Sequence, residues 1–151
     1  MTKIPSKNFG QLELTKAFKK DYLTELIEIR EFLESKIERF PLLRCHESTY
    51  FLSKTLQFEE KGGTYIDPVT FIQRNHYLNY SKLFNVYVCL SMDQFNTEKT
   101  RYPKVSIFEG NVPFYIERPR YTQYQKRRLW NNDTRLKAIK KITDEYLEAR
   151  R

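Results

Sequence analysis

Between Glu13 and Phe40, apolar side chains return every three or four residues: Leu14, Phe18, Tyr22, Leu26, Ile29, Leu33 and Ile37. That period is helical and places all seven on one stripe, which Ala17, Leu23, Ile27 and Phe32 widen. At 1.5 Å per residue such a helix is about 40 Å long, so it must pack along much of a small domain. Its apolar face is wider than a coiled-coil seam, which favours burial within the chain over pairing with a second copy. Glu25, Glu28, Arg30, Glu31, Glu34, Lys36 and Glu38 lie largely off the stripe, as helix-surface charges do. Pro41 is expected to end the helix, because the residue before a proline avoids helical geometry.

The chain beyond it changes period more than once. Ser48, Phe51, Leu52 and Leu56 predict a second helix over 47–61, stopped by Gly62-Gly63. Asp67-Pro68 then suits a helix start, predicting a third over about 68–80. From Phe84 to Met92 apolar residues alternate with Asn85, Tyr87, Cys89 and Ser91, the pattern of a strand with one apolar face. Residues 104–108 and 112–116 read as a hairpin around Glu109-Gly110-Asn111, with Pro113 marking an edge. A last helix is expected from Asn132 or Asp133 to Ala149, with Leu136, Ile139, Thr143 and Tyr146 inward. The predicted fold class is α+β: three N-terminal helices, a three-stranded antiparallel meander and a basic C-terminal helix. Residues 1–10 read as a polar arm and 11–151 as one domain. A chain of 151 residues is long enough for one such domain without a disulfide or metal.

Charge narrows function more than pattern does. The net charge is +8. Residues 117–151 hold eleven Lys or Arg against five Asp or Glu, and the preceding residues hold sixteen against fourteen. The positive field therefore belongs to the last quarter, where a polyanion is the natural partner. Within it, Arg118, Arg120, Lys126, Arg127, Arg128, Arg135, Lys137, Lys140 and Lys141 are interleaved with Tyr121, Tyr124 and Trp130. Cations neutralise phosphates, and aromatic rings stack on unpaired bases. These twelve residues are the candidate nucleic-acid contacts, DNA or RNA. A solvated basic surface that balances the acidic first helix is the plainer alternative. Asn131 to Thr134 supply a cap for the last helix, a better use of that turn than holding a phosphate.

Other chemistry has weaker support. Cys45, His46, His76 and Cys89 are the only soft metal ligands, and they lack the spacing of a zinc site. Buried thiols in a reducing compartment explain the cysteines more simply. Glu59-Glu60-Lys61 carries an acid-x-Lys tripeptide, with Glu47 and Asp67 near in sequence, as a metal-dependent nuclease would need. Such tripeptides usually act from a strand, however, and this one is predicted at a helix end. No nucleophile elbow, dinucleotide loop, zinc finger or helix-turn-helix is present in the sequence. The expectation is a non-enzymatic nucleic-acid-binding protein without catalytic residues, metal or cofactor. The alternatives are a structural subunit of a ribonucleoprotein or virion and, last, a nuclease. Its partners would be nucleic acid and, through helix 13–40, another protein or a second copy. With no secretory leader and no membrane-length apolar run in the sequence, the expected location is intracellular (cytoplasmic) or virion-internal.

Overall fold

The computed structural model describes residues 10–120 and 133–150. In chain order the elements are α1 (Gln11–Lys36), α2 (Cys45–Leu56), β1 (Glu59–Ile66), β2 (Gln73–Ser81), β3 (Val86–Cys89), a 3-10 turn (Met92–Phe95), β4 (Ser106–Glu109), β5 (Tyr115–Glu117) and α3 (Asp133–Ala149). The five strands form one antiparallel sheet in the order β4-β3-β2-β1-β5. The expected three N-terminal helices and three-stranded meander are both corrected by this arrangement. Among the described residues there are three α-helices, one of them C-terminal, and the sheet is a curled half-barrel.

The long helix buries its predicted stripe: Phe18, Leu26, Ile29 and Leu33 are inaccessible to solvent. It ends earlier than expected, at Lys36, where the Ile37 N–H bonds to the Leu33 carbonyl and Ile37 becomes extended. Arg30, grouped by sequence with the surface charges, is instead 3 % exposed. Its guanidinium grips both carboxylate oxygens of Asp93 at 2.8 Å and the carbonyls of Leu90 and Lys104 at 2.8 and 3.1 Å. Glu34, one helical turn on, receives its Nε at 2.8 Å. One side chain thus ties α1 to the 3-10 turn and to the approach of β4.

The helix expected over 47–61 is replaced by α2 and the first half of β1. α2 stops at Gln57, whose φ of 57° is left-handed, not at the glycines. Gly62 and Gly63 lie within β1. A Cβ on Gly63 would collide with the Ile116 carbonyl oxygen and stand 2.7 Å from the Tyr115 ring, so glycine is there for close approach of β5. The helix expected over 68–80 is a turn followed by β2. Asp67 does cap, accepting from the N–H groups of Val69 and Thr70 at 2.8 and 2.9 Å, but the turn it caps is not propagated. The Asp67 N–H closes it onto the Ile72 carbonyl at 3.0 Å. β2 is central, and His76, Tyr77, Leu78 and Asn79 are buried in succession. A strand covered on both faces has no polar–apolar alternation to read.

The predicted hairpin is not one. β4 pairs with β3 and β5 with β1, at opposite edges of the sheet. In a flat sheet those edges stand four strand spacings apart, about 19 Å, which residues 110–114 could only just span. Curling brings the edges together and makes the short connection possible. The strand predicted over 84–92 shortens to Val86–Cys89, entered from a turn at Asn85 (φ 53°).

Two cores lie on the two sides of the sheet. The three helices and the inward residues of β3 enclose Phe18, Leu26, Phe51, Phe58, Phe84, Val88, Ile139 and Tyr146. The concave side is filled by Tyr65, Leu78, Cys89, Met92 and Val112, with Tyr87, Phe95, Tyr102, Phe108 and Tyr115 around them. Tyr65 stacks on Phe95 with centroids 4.0 Å apart, and its hydroxyl meets that of Tyr102 at 3.0 Å. The concavity is therefore occupied by the chain itself.

Candidate nucleic-acid interface

The basic segment leaves the sheet at β5 and returns as α3. Arg118 continues the β1–β5 ladder: its N–H bonds to the Gly62 carbonyl at 2.8 Å, and its Nε donates to Thr64 Oγ1 at 3.1 Å. Arg120, two residues on, is exposed. Tyr121, Tyr124, Lys126, Arg127, Arg128 and Trp130 lie outside the described residues.

The cations of α3 divide into two kinds. Arg135 turns inward to Glu47 of α2, which is 5 % exposed. Its Nε donates to Glu47 Oε2 at 2.9 Å and its Nη2 to Oε1, while Arg44 approaches the same carboxylate at 3.5 Å. The Glu47 hydrogen bond raises the Arg135 pKa further. These groups line a pocket of about 220 Å³ between the end of α1 and the starts of α2 and α3. Arg135 is thus a half-buried strut whose guanidinium is already engaged by a carboxylate. Lys137, Lys140 and Lys141 point the other way and are exposed. They line a shallow surface groove with Asp144, Glu145 and Glu148. Among the described residues none of the three makes an ion pair, whereas Glu145 is bridged to Lys36 at 3.4 Å. The inward face of α3 holds it in place through Ile139, Thr143 and Tyr146. Its C-terminal end is tied to α1, Arg150 donating to Glu28 at 2.9 Å and lying over the Tyr146 ring.

The residues weighed for other chemistry do not assemble. Glu59 and Lys61 are on a strand, contrary to the sequence expectation, and bridge each other at 3.7 Å. Asp67, however, caps a turn beyond the far end of β1, about 25 Å along the strand, and Glu47 is held by Arg135. Among the described residues no three His, Cys, Asp or Glu side chains are grouped to hold a metal. His76 Nε2 and Cys89 Sγ meet at 3.2 Å on the concave side, while His46 lies across the sheet against Tyr77. Burial pushes the Cys89 thiol up to about 12 and lowers His76 to about 3, so the pair is neutral and supplies no thiolate. No helix among the described residues is long and apolar enough to cross a membrane.

Sequence reasoning missed a further surface. Val69, Phe71 and Ile72 on the β1–β2 turn and Phe114 at the entry of β5 are exposed large hydrophobics, and the Ile66 N–H to Phe114 carbonyl bond sets Phe114 against the end of β1 where the turn begins. Phe71 and Phe114 both have positive φ, a costly conformation for a bulky residue. No sequence signal marks these residues, because Asp67-Pro68 predicts a helix where the chain makes a turn. No protein-family model, curated protein or solved structure matches this chain.

Proposed function

We propose that this protein binds nucleic acid without acting on it, gripping phosphates with the basic residues that flank and fill the stretch between β5 and α3. The observation that carries the reading is the set of exposed ammonium groups of Lys137, Lys140 and Lys141 on α3, which make no ion pair among the described residues. Helix stability accounts for them only in part, through Asp144 and Glu145 one turn beyond Lys140 and Lys141. Lys137 and Lys141 repel at i,i+4, and beyond Asp133 the cations precede the anions, the reverse of what the helix dipole favours. A phosphate backbone would supply a denser counter-charge than the carboxylates of the same groove. Arg118, Arg120, Lys126, Arg127 and Arg128 extend the same field, with Tyr121, Tyr124 and Trp130 offering rings for unpaired bases.

The test is binding to labelled single-stranded DNA, duplex DNA and RNA at two salt concentrations. Two variants run beside the wild type, one with Lys126, Arg127 and Arg128 changed to Gln and one with Lys137, Lys140 and Lys141 changed to Gln. Affinity that falls with salt and in both variants supports the reading, and absence of binding at low salt overturns it. A second reading, a structural subunit of a larger assembly, is favoured by the apolar patch at Val69, Phe71 and Ile72, which a protein neighbour would cover.

A further inference from the structure

Among the described residues no strand is hydrogen-bonded to the outer edge of β5. The bonds from the Ile66 N–H to the Phe114 carbonyl and from the Arg118 N–H to the Gly62 carbonyl fix which residues of β5 face β1. With Thr64 opposite Ile116, it is Phe114, Ile116 and Arg118 that turn their main-chain groups inward. Tyr115 and Glu117 therefore direct theirs outward, where they have no hydrogen-bond partner among the described residues. Beside them Phe114 and Ile116 remain 50 % and 46 % exposed. The opposite edge is not comparable, because α1 is tied to β4 by the Thr15 hydroxyl, which donates to Glu109 at 2.9 Å.

We infer that β5 pairs with β5 of a second copy of this chain, antiparallel and centred on Ile116. The strand is complementary to itself in this register and in no neighbouring one. Tyr115 of one copy faces Glu117 of the other, so all the outward N–H and C=O groups of both residues are used, in four hydrogen bonds. Ile116 faces Ile116 as a non-hydrogen-bonded pair, the closer kind, and the two exposed side chains cover each other. Phe114 comes opposite the second copy's Arg118, within reach of a cation–π contact. Pro113 and Pro119 lie three residues to either side of Ile116. Lacking an N–H, they end the ladder symmetrically, and a shift of register sets a proline against an outward group of Tyr115 or Glu117. The pairing is isologous and closes on itself as a dimer, so it does not propagate into a fibre. So short a strand gives a dissociation constant of roughly micromolar order or weaker. Each copy carries a net charge of +8, so salt that screens this repulsion tightens the dimer.

Sedimentation velocity of the full chain in high salt, from low to high micromolar concentration, tests the inference. The expected result is a monomer–dimer equilibrium in wild type and a monomer in Ile116→Lys, whose unfolding midpoint stays within a degree or two of wild type because the position is exposed. The register is tested separately with Ile116→Cys. Paired Ile116 Cα atoms about 4.5 Å apart lie within disulfide range, so mild oxidation should link two copies. Leu12→Cys, equally exposed on α1, should not link. Monomer at every concentration together with no Ile116→Cys cross-link overturns the inference. So does a dimer that survives Ile116→Lys and is lost in Ile27→Lys, which would place the contact on α1.

Discussion

The hydroxyl of Tyr87, on β3, donates to Glu117 Oε1, on β5, at 3.1 Å. Two strands of the sheet lie between them, so the bond exists only because the sheet curls until its third and fifth strands face each other across the concave side. Burial, followed by the Glu117 carboxylate, pushes the Tyr87 phenol up to about 12. A group whose pKa is raised by folding contributes stability that is complete below its unfolded value near 10 and is lost as pH climbs through 12. Tyr87→Phe should cost about 1 kcal/mol at neutral pH, as for one exchanged hydrogen bond. It should also remove one high-pH tyrosine from a spectrophotometric titration. Loss of a phenol that titrates near the ordinary value of 10 would mean that the bond does not form in solution.

Arg30 should be the least replaceable charged residue of α1. Arg30→Ala leaves the Asp93 carboxylate and the Leu90 and Lys104 carbonyls without their donors, at a cost of about 3–5 kcal/mol. Arg30→Lys should recover little, because an ammonium cannot reproduce the two parallel bonds to Asp93. Denaturant unfolding of both variants decides this, and a Lys variant as stable as wild type would refute the bidentate assignment.

Gly63→Ala should destabilise by about 1–3 kcal/mol, as overpacking does, by forcing β5 away from β1. Amide exchange should report the displacement first at Arg118, whose N–H is bonded to Gly62. Exchange there that matches wild type would show that β5 stays in place.

His76 makes the fold sensitive to acid. Its pKa is lowered by burial from 6.5 to about 3, so the folded state holds it neutral where the unfolded chain is already protonated. Stability is complete above the unfolded value near 6.5. It falls by up to about 1.4 kcal/mol per pH unit toward pH 3, since the unfolded state binds the extra proton. His76→Phe should flatten this part of the pH–stability curve relative to wild type. Equal slopes in the two proteins would assign the acid sensitivity to carboxylates.

The two kinds of cation on α3 should separate cleanly under mutation. Arg135→Gln leaves Glu47 buried beside Arg44 alone and should cost about 2–3 kcal/mol of stability. Changing Lys137, Lys140 and Lys141 together to Gln should alter stability by less than about 0.5 kcal/mol. If all three meet phosphates, it should reduce the slope of log affinity against log salt by about 2.7 for duplex DNA or 2.1 for a single strand. A triple variant with the wild-type slope would exclude these lysines from the contact.

Sequence alone was enough for the two long helices, most of their inward residues and the concentration of charge in the last quarter, although Arg30 proves buried and Ile27 exposed. A helix with one buried face writes a 3.6-residue period that needs no knowledge of its neighbours, and charge needs only counting. The sheet was a different matter. β2 is covered on both sides, so His76 to Asn79 carry no alternation, and Gly62-Gly63 look like a helix stop until β5 is seen crossing them. Whether β4 pairs with β5 or each seeks the opposite edge depends on curvature, a property of the whole sheet. The division of Arg135 from Lys137 and its neighbours is likewise tertiary. In sequence they are equivalent cations on one helix, and only the position of Glu47 on α2 decides which of them is used to hold the fold together.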